Sequence, residues 1–165
     1  MRAVFTLALA LLLAACGFQL RGTAQLPFDT LYMPPTTVPG VALDLKRNIQ
    51  SGTNTKVIDD PQKADAVLEF LQETREKHIL SLAATGRVRE FQLRYRVTFR
   101  VHDGKGGEFL PASTVQLTRD ISFDDAVVLA KETEEQLLYR DMQFDMVQQI
   151  MRRLAAAQRP KPAAS

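Results

Sequence analysis

The sequence predicts an α+β fold: a two-layer sandwich with two helices packed on one face of a roughly four-stranded, mostly antiparallel sheet. Three observations carry that expectation. From Phe91 to Val101 the odd positions are Phe91, Leu93, Tyr95, Val97, Phe99 and Val101, while the even ones are Gln92, Arg94, Arg96, Thr98 and Arg100. Alternation of that length marks a strand with one buried face. Ser113 to Phe123 alternates again, and Asp103-Gly104-Lys105-Gly106-Gly107 joins the two as a hairpin turn whose glycines accept positive φ. Finally, Tyr139, Met142, Met146, Ile150 and Leu154 recur at spacings of three and four, the period of a helix with one apolar stripe.

The elements follow in chain order. Phe28 to Met33 reads as a first strand, stopped by Pro34-Pro35 because proline cannot donate to a ladder. Pro34 to Gly40 is a loop. Val41, Leu45 and Ile49, spaced by four, predict a helix of about three turns that Ser51-Gly52 ends. Thr55 to Ile58 is a short strand closed by Asp59-Asp60-Pro61. Ala66 to Leu82 has an apolar start, a polar centre and a second apolar piece, Ile79-Leu80-Ser81-Leu82, and reads as one long strand or two segments. Ala83 to Arg87 is the turn before the Phe91 strand. In the returning strand Val115, Leu117, Ile121 and Phe123 share a face that Arg119 interrupts. Asp124 is placed to cap the closing helix, with Asp125 at the positive end of its dipole. Arg159 to Ser165 is polar and proline-rich, a composition that predicts disorder.

The N-terminus places the chain in a cell. Arg2, an apolar run from Ala3 to Ala14 broken only by Thr6, and small residues thereafter have the layout of a secretory signal peptide. The run falls short of the roughly 20 apolar residues a bilayer-spanning helix needs. Leu13-Ala14-Ala15-Cys16 resembles the bacterial lipobox, and the chain has a single cysteine, so no disulfide competes for it. The resemblance implies a diacylglyceryl thioether on Cys16, cleavage before it and an acyl group on the new amine. Two or three chains on one residue anchor permanently where one binds reversibly. Gly17 stands where an aspartate retains lipoproteins in the inner membrane, which points to the periplasmic leaflet of the outer membrane. The expected organisation is a signal peptide over 1–15, one α+β domain over 16–157 and a tail over 158–165.

Composition narrows the chemistry. Without Arg2, one of the 21 lysines and arginines, 20 basic side chains face 19 acidic ones, so a generic polyanion or nucleic-acid binder is not expected. His78 and His102 lack metal-ligand spacing, no second cysteine completes a zinc site, and no G-x-S-x-G, H-E-x-x-H or phosphate-loop pattern occurs. The acidic pairs Asp59-Asp60, Asp124-Asp125 and Glu134-Glu135 suit a turn, a helix cap and a solvated helix face. No enzyme activity, metal or cofactor is expected.

Two features remain. Arg94, Arg96 and Arg100, entered past Arg87 and Arg89, line the sheet face that no helix covers. They read either as a solvated face or as a planar donor array for phosphates, carboxylates or another protein. Leu129 to Gln136 reads as an exposed helical turn with Lys131 and Glu135 paired, or as the site where Lys131 meets an anion.

Cys16-Gly17-Phe18-Gln19-Leu20-Arg21-Gly22, the strand start Arg89-Glu90-Phe91-Gln92-Leu93, and Leu129-Ala130-Lys131-Glu132 through Arg152-Arg153-Leu154 together resemble the LptE family of LPS-assembly lipoproteins. The resemblance implies a plug inside the outer-membrane barrel LptD that assists its assembly, takes part in delivering lipopolysaccharide to the cell surface, and binds lipopolysaccharide through basic residues. Lys131 falls on such a position. The family's other basic position, before the Gly86 turn, is Ala84 here, and Arg87 just beyond it stands in; Arg94, Arg96 and Arg100 complete the expected lipopolysaccharide-binding set. The rival expectation is a free-standing periplasmic lipoprotein that binds a soluble ligand or the cell wall through a deep apolar pocket between sheet and helices.

Overall fold

A computed structural model describes residues 25–36 and 39–160. The signal peptide, Cys16 and the last five tail residues lie outside the described residues. The elements are β1 (Thr30–Tyr32), α1 (Pro39–Gly52), β2 (Lys56–Ile58), β3 (Ala66–Leu82), β4 (Val88–His102), β5 (Glu108–Ser122) and α2 (Val128–Ala155), with short 3-10 turns at Pro61–Lys63 and Asp125–Val127. Both helices pack on one face of the sheet, so the two-layer α+β sandwich is as expected.

The sheet differs in detail from the expectation. It has five strands, in the order β2-β1-β3-β4-β5. β3, β4 and β5 form a long antiparallel meander, whereas β1 pairs in parallel with both β2 and β3. The β1–β2 pair follows from connectivity: α1 lies between the two strands in the chain, and a helical crossover returns the second strand in the same direction as the first. Three-residue strands carry too little alternation to announce this. Thr55 locks the start of β2 to the lead into β1, its buried hydroxyl donating to the Phe28 carbonyl at 2.8 Å.

The predicted stripes are the core. Val41, Leu45 and Ile49 of α1, Leu93, Tyr95, Val97, Phe99 and Val101 of β4, and Met142, Met146, Ile150 and Leu154 of α2 are all fully buried. Each such side chain contributes about 1.5 to 3 kcal/mol by leaving water. Arg119 breaks the apolar row of β5 because α2 presents Asp145 there, 2.6 Å from its guanidinium. Asp124 caps the 3-10 turn by accepting from the Ala126 amide, and α2 proper begins after it at Val128.

The two ends of the sandwich are unlike. β1 meets β3 only at Ala66 and Val67, so five strands and both helices share one end. The other end is a three-stranded ribbon covered, among the described residues, by the start of α2 alone. No helix among the described residues is long and apolar enough to cross a membrane.

Candidate functional site

The ribbon end brings together the β3–β4 turn, the end of β5 and the start of α2. Ala83 donates to the Arg87 carbonyl at 2.8 Å and Gly86 to the Ala83 carbonyl at 2.9 Å, with Gly86 at φ +81, a conformation that glycine adopts without strain. This tight closure sets Arg87 at the tip, where its guanidinium lies 3.4 Å from the Asp125 carboxylate and is largely exposed. Phe123 donates to the Arg89 carbonyl and thereby brings the start of α2 beside the turn. Lys131, one helical turn further, folds down onto the sheet. Its ammonium donates to Ser122 Oγ at 3.0 Å and to Glu134 Oε2 at 2.8 Å, and the side chain is only 19% exposed. The partner expected for it, Glu135, is instead drawn across to Lys77 of β3.

Around these cations stand apolar side chains that no described residue covers: Ile79, Leu80 and Leu82 of β3, and Val127, Val128 and Leu129 at the start of α2, the last 80% exposed. Beneath, Phe91 and Phe123 meet edge to face at 5.2 Å, and the Lys77 ammonium lies 4.4 Å from the Phe91 ring centre. Charge set in an apolar rim is complementary to an amphipathic anion. The sequence signal for the rim was Ile79-Leu80-Ser81-Leu82, apolar on both sides of a strand of which only one side has a helix.

The arginine stripe lies where alternation put it, on the uncovered face, and it is interleaved with partners. Arg100 Nε and Nη2 both lie 2.7 Å from Glu69 Oε2. Arg96 donates twice to Gln116 Oε1, at 3.1 and 2.8 Å, and Arg94 lies 3.7 Å from Glu76. These contacts have an electrostatic signature. The hydrogen bond from Arg100 holds the Glu69 carboxyl below its usual range. That from His78, with the charges of Arg96 and Arg94, does the same for Glu76. At about 3.3 Å per residue, Arg100 is on the order of 40 Å along β4 from the turn that carries Arg87. The structure thus brings Arg87 and Lys131 to one end and sets Arg94, Arg96 and Arg100 apart as a separate polar surface.

A cleft of about 510 Å³ opens at the opposite end, lined among others by Phe28, Asp65, Asp103, Phe109 and Arg159. Its acids are internally engaged: Asp65 accepts from Thr30 N and Oγ1 at 2.9 and 2.8 Å, and Asp103 from the Lys105 and Gly107 amides. Of the expected tail, Gln158 donates to the Phe109 carbonyl and Arg159 to the Pro27 carbonyl. No group of three metal-ligating side chains occurs among the described residues.

Comparison with known proteins decides the family. The model of the family LptE, described as Lipopolysaccharide-assembly, matches residues 28–154. The chain belongs to the LptE family. The LPS-assembly lipoprotein LptE of Pectobacterium atrosepticum is 27% identical over 157 residues, covering 92% of this chain and 84% of that protein. Its counterpart in Yersinia enterocolitica is 30% identical, over 87% of this chain and 70% of that protein. Among solved structures, lipoprotein B from Nitrosomonas europaea superposes with a TM-score of 0.72 at 42% identity, covering 85% of this chain and 91% of that one. Rare lipoprotein B from Shewanella oneidensis superposes at 0.67 and 26% identity, covering 77% and 94%. The LptE assignment agrees with the two-layer fold and gives the chain a role as a lipoprotein of lipopolysaccharide assembly.

Proposed function

We propose that this member of the LptE family is an outer-membrane lipoprotein, acylated at Cys16, that plugs the LptD barrel, supports its assembly and takes part in moving lipopolysaccharide to the cell surface. It does so without catalysis, by holding the glycolipid at its ribbon end. Arg87 and Lys131 meet phosphate groups there, while the Ile79, Leu82 and Leu129 rim takes the root of the acyl chains. The observation that carries this reading is the union, at one end, of two cations with an uncovered apolar rim. Arg94, Arg96 and Arg100 serve in the same reading as a polar wall against a barrel whose interior is itself polar. Anion capture there requires them to exchange Glu76, Gln116 and Glu69.

The test is lipopolysaccharide binding by Arg87→Glu with Lys131→Glu, against Lys46→Glu with Lys56→Glu as a control of equal charge. Two desolvated phosphate contacts correspond to at least about tenfold in affinity, lost by the first pair and retained by the second. Equal losses, both erased by salt, would reduce the site to general electrostatics. The soluble-ligand alternative predicts full function in a Cys16→Ala protein that never associates with a barrel.

A further inference from the structure

Both long margins of the β3-β4-β5 ribbon are open, and they are not equivalent. Beyond Val67 no strand among the described residues lies on the outer side of β3. That margin is broken by register shifts between Phe70 and Gln72 and between Ile79 and Leu82, and it carries Arg75, Lys77 and His78. Irregularity and charge are the means by which sheets keep a margin from pairing. β5 is the terminal strand on the other side. Its first residues are irregular, with Pro111 and register shifts opposite Phe99 to His102. From Ser113 to Ser122, however, the register against β4 is unbroken. Only Arg119 and Asp120 are charged in that stretch, and both are engaged within the domain, Arg119 by Asp145 at 2.6 Å and Asp120 by Gln92 at 3.2 Å. The margin is long, regular and unguarded.

Beside it runs a groove of about 550 Å³ between β5 and α2, lined by Leu117, Arg119, Phe144, Asp145, Gln148 and Arg152 among others. Phe144, Gln148 and Arg152 follow at spacings of four, so they stand in a row along the helix flank. Phe144 is 64% exposed, an aromatic ring in water next to a row of unpaired backbone groups. Asp145 is already held by Arg119, and Arg152 has no ion pair among the described residues.

We infer that the β5 margin is a strand-addition site for the barrel partner. An extended segment of that protein pairs with Ser113 to Ser122, seats an apolar side chain between Leu117 and Phe144, and sets a carboxylate against Arg152. A serial row of amides and carbonyls is satisfied by another extended backbone and not by a lipid or a sugar. The cationic end of the groove selects the acidic side chain. A second copy of this chain fits less well, because the same cations would meet across the ladder. The inference rests on the plug reading and adds the surface by which the barrel is gripped.

The test uses the full lipoprotein co-purified with its barrel from outer membranes in detergent. Amides of 113–122 are expected to exchange at least about tenfold more slowly in the complex than in the free lipoprotein. Phe144→Asp and Arg152→Glu are expected to cut barrel recovery about tenfold. Leu137→Asp, on the same helix but outside the groove and also half exposed, is expected to retain it. A photocrosslinker at Thr118 should join the barrel, and crosslinking to a second copy of this chain would overturn the assignment. Full barrel recovery with unchanged exchange at 113–122 would overturn strand addition alone. A native protein that recovers no barrel would overturn the plug reading and this inference with it.

Discussion

Tyr95→Phe tests whether the two layers are joined by a polar network as well as by packing. The Tyr95 ring is fully buried. Its hydroxyl donates to Glu73 Oε1 and accepts from Arg75 Nη2 at 3.2 Å. Arg75 in turn reaches Gln143 of α2 at 3.3 Å, and Gln143 reaches Asp44 of α1 at 2.8 Å. Removing the oxygen leaves the ring, its edge contact with Tyr139 at 6.4 Å and the Arg75 guanidinium 4.6 Å above it. Arg75 and Glu73 keep each other at 3.2 Å and both reach water. The loss is therefore two charge-assisted bonds, about 1.5 to 3 kcal/mol each at full value, reduced to about 1 to 2 kcal/mol in all because both partners keep each other and rehydrate. In a domain of this size that lowers Tm by about 2 to 8 °C.

A pH signature separates this from lost packing. Burial, reinforced by the Glu73 hydrogen bond, raises the Tyr95 phenol above its ordinary value of 10.0. A group whose folded value is raised contributes stability that is complete below its unfolded value and is lost as pH climbs toward the folded one. Stability of the native protein should therefore fall from about pH 10 upward more steeply than that of Tyr95→Phe, by up to about 1.4 kcal/mol per pH unit. Tyr139, also raised by burial, keeps a residual slope in both. Urea titrations followed by circular dichroism at pH 7 to 11 supply the numbers. Equal midpoints at pH 7, or parallel alkaline slopes, would refute the reasoning.

Three further outcomes follow from local geometry. Gly107→Ala puts a methyl 2.5 Å from Asp103 Oδ2 and 2.7 Å from Pro160 Cβ, and should cost about 1 to 3 kcal/mol. Gly52→Ala, in open space in the last turn of α1, should gain about 0.5 to 1 kcal/mol; thermal melts of the pair check the contrast. The Thr30 hydroxyl holds Asp65 below its ordinary 3.8 and Arg100 holds Glu69 below its ordinary 4.5. Depressed carboxylates stabilise above their unfolded values, so stability should fall as pH drops below about 4.5, and Asp65→Ala should flatten the lower part of an acid denaturation curve. In α2, amides of 129–139 should exchange faster than those of 143–154, which native-state hydrogen exchange reads directly.

What the sequence disclosed, and what it hid, divides by the range of the interaction. β4 was legible because its alternation is local, and the helical stripes of α1 and α2 for the same reason. The arginines were placed on the correct face, yet their partners were not foreseeable. Glu76 meets Arg94 and Glu69 meets Arg100 only through the pairing of β3 with β4, which is offset by a bulge between Phe70 and Gln72. That extra residue, Leu71, turns outward at half exposure, and nothing in Val67-Leu68-Glu69-Phe70-Leu71 announces it. Lys131 found Glu134 in place of Glu135 because Lys77, more than fifty positions earlier in the chain, competes for Glu135. The parallel β1–β2 pair was hidden by brevity.

Burial is distributed unevenly along α2. No residue before Met142 is buried, whereas Met142, Met146, Val147, Ile150 and Leu154 are. The first half is held by the Lys77–Glu135 ion pair, by Tyr139 donating to the Glu76 carbonyl at 3.0 Å and by Arg75 between two rings. Partly exposed charge pairs contribute up to about 1 kcal/mol each, against about 1.5 to 3 for each buried apolar side chain of the second half. With Leu138 and Tyr139 its contacts to the core, the first half of α2 is therefore the less firmly held part, and native-state exchange should report it first.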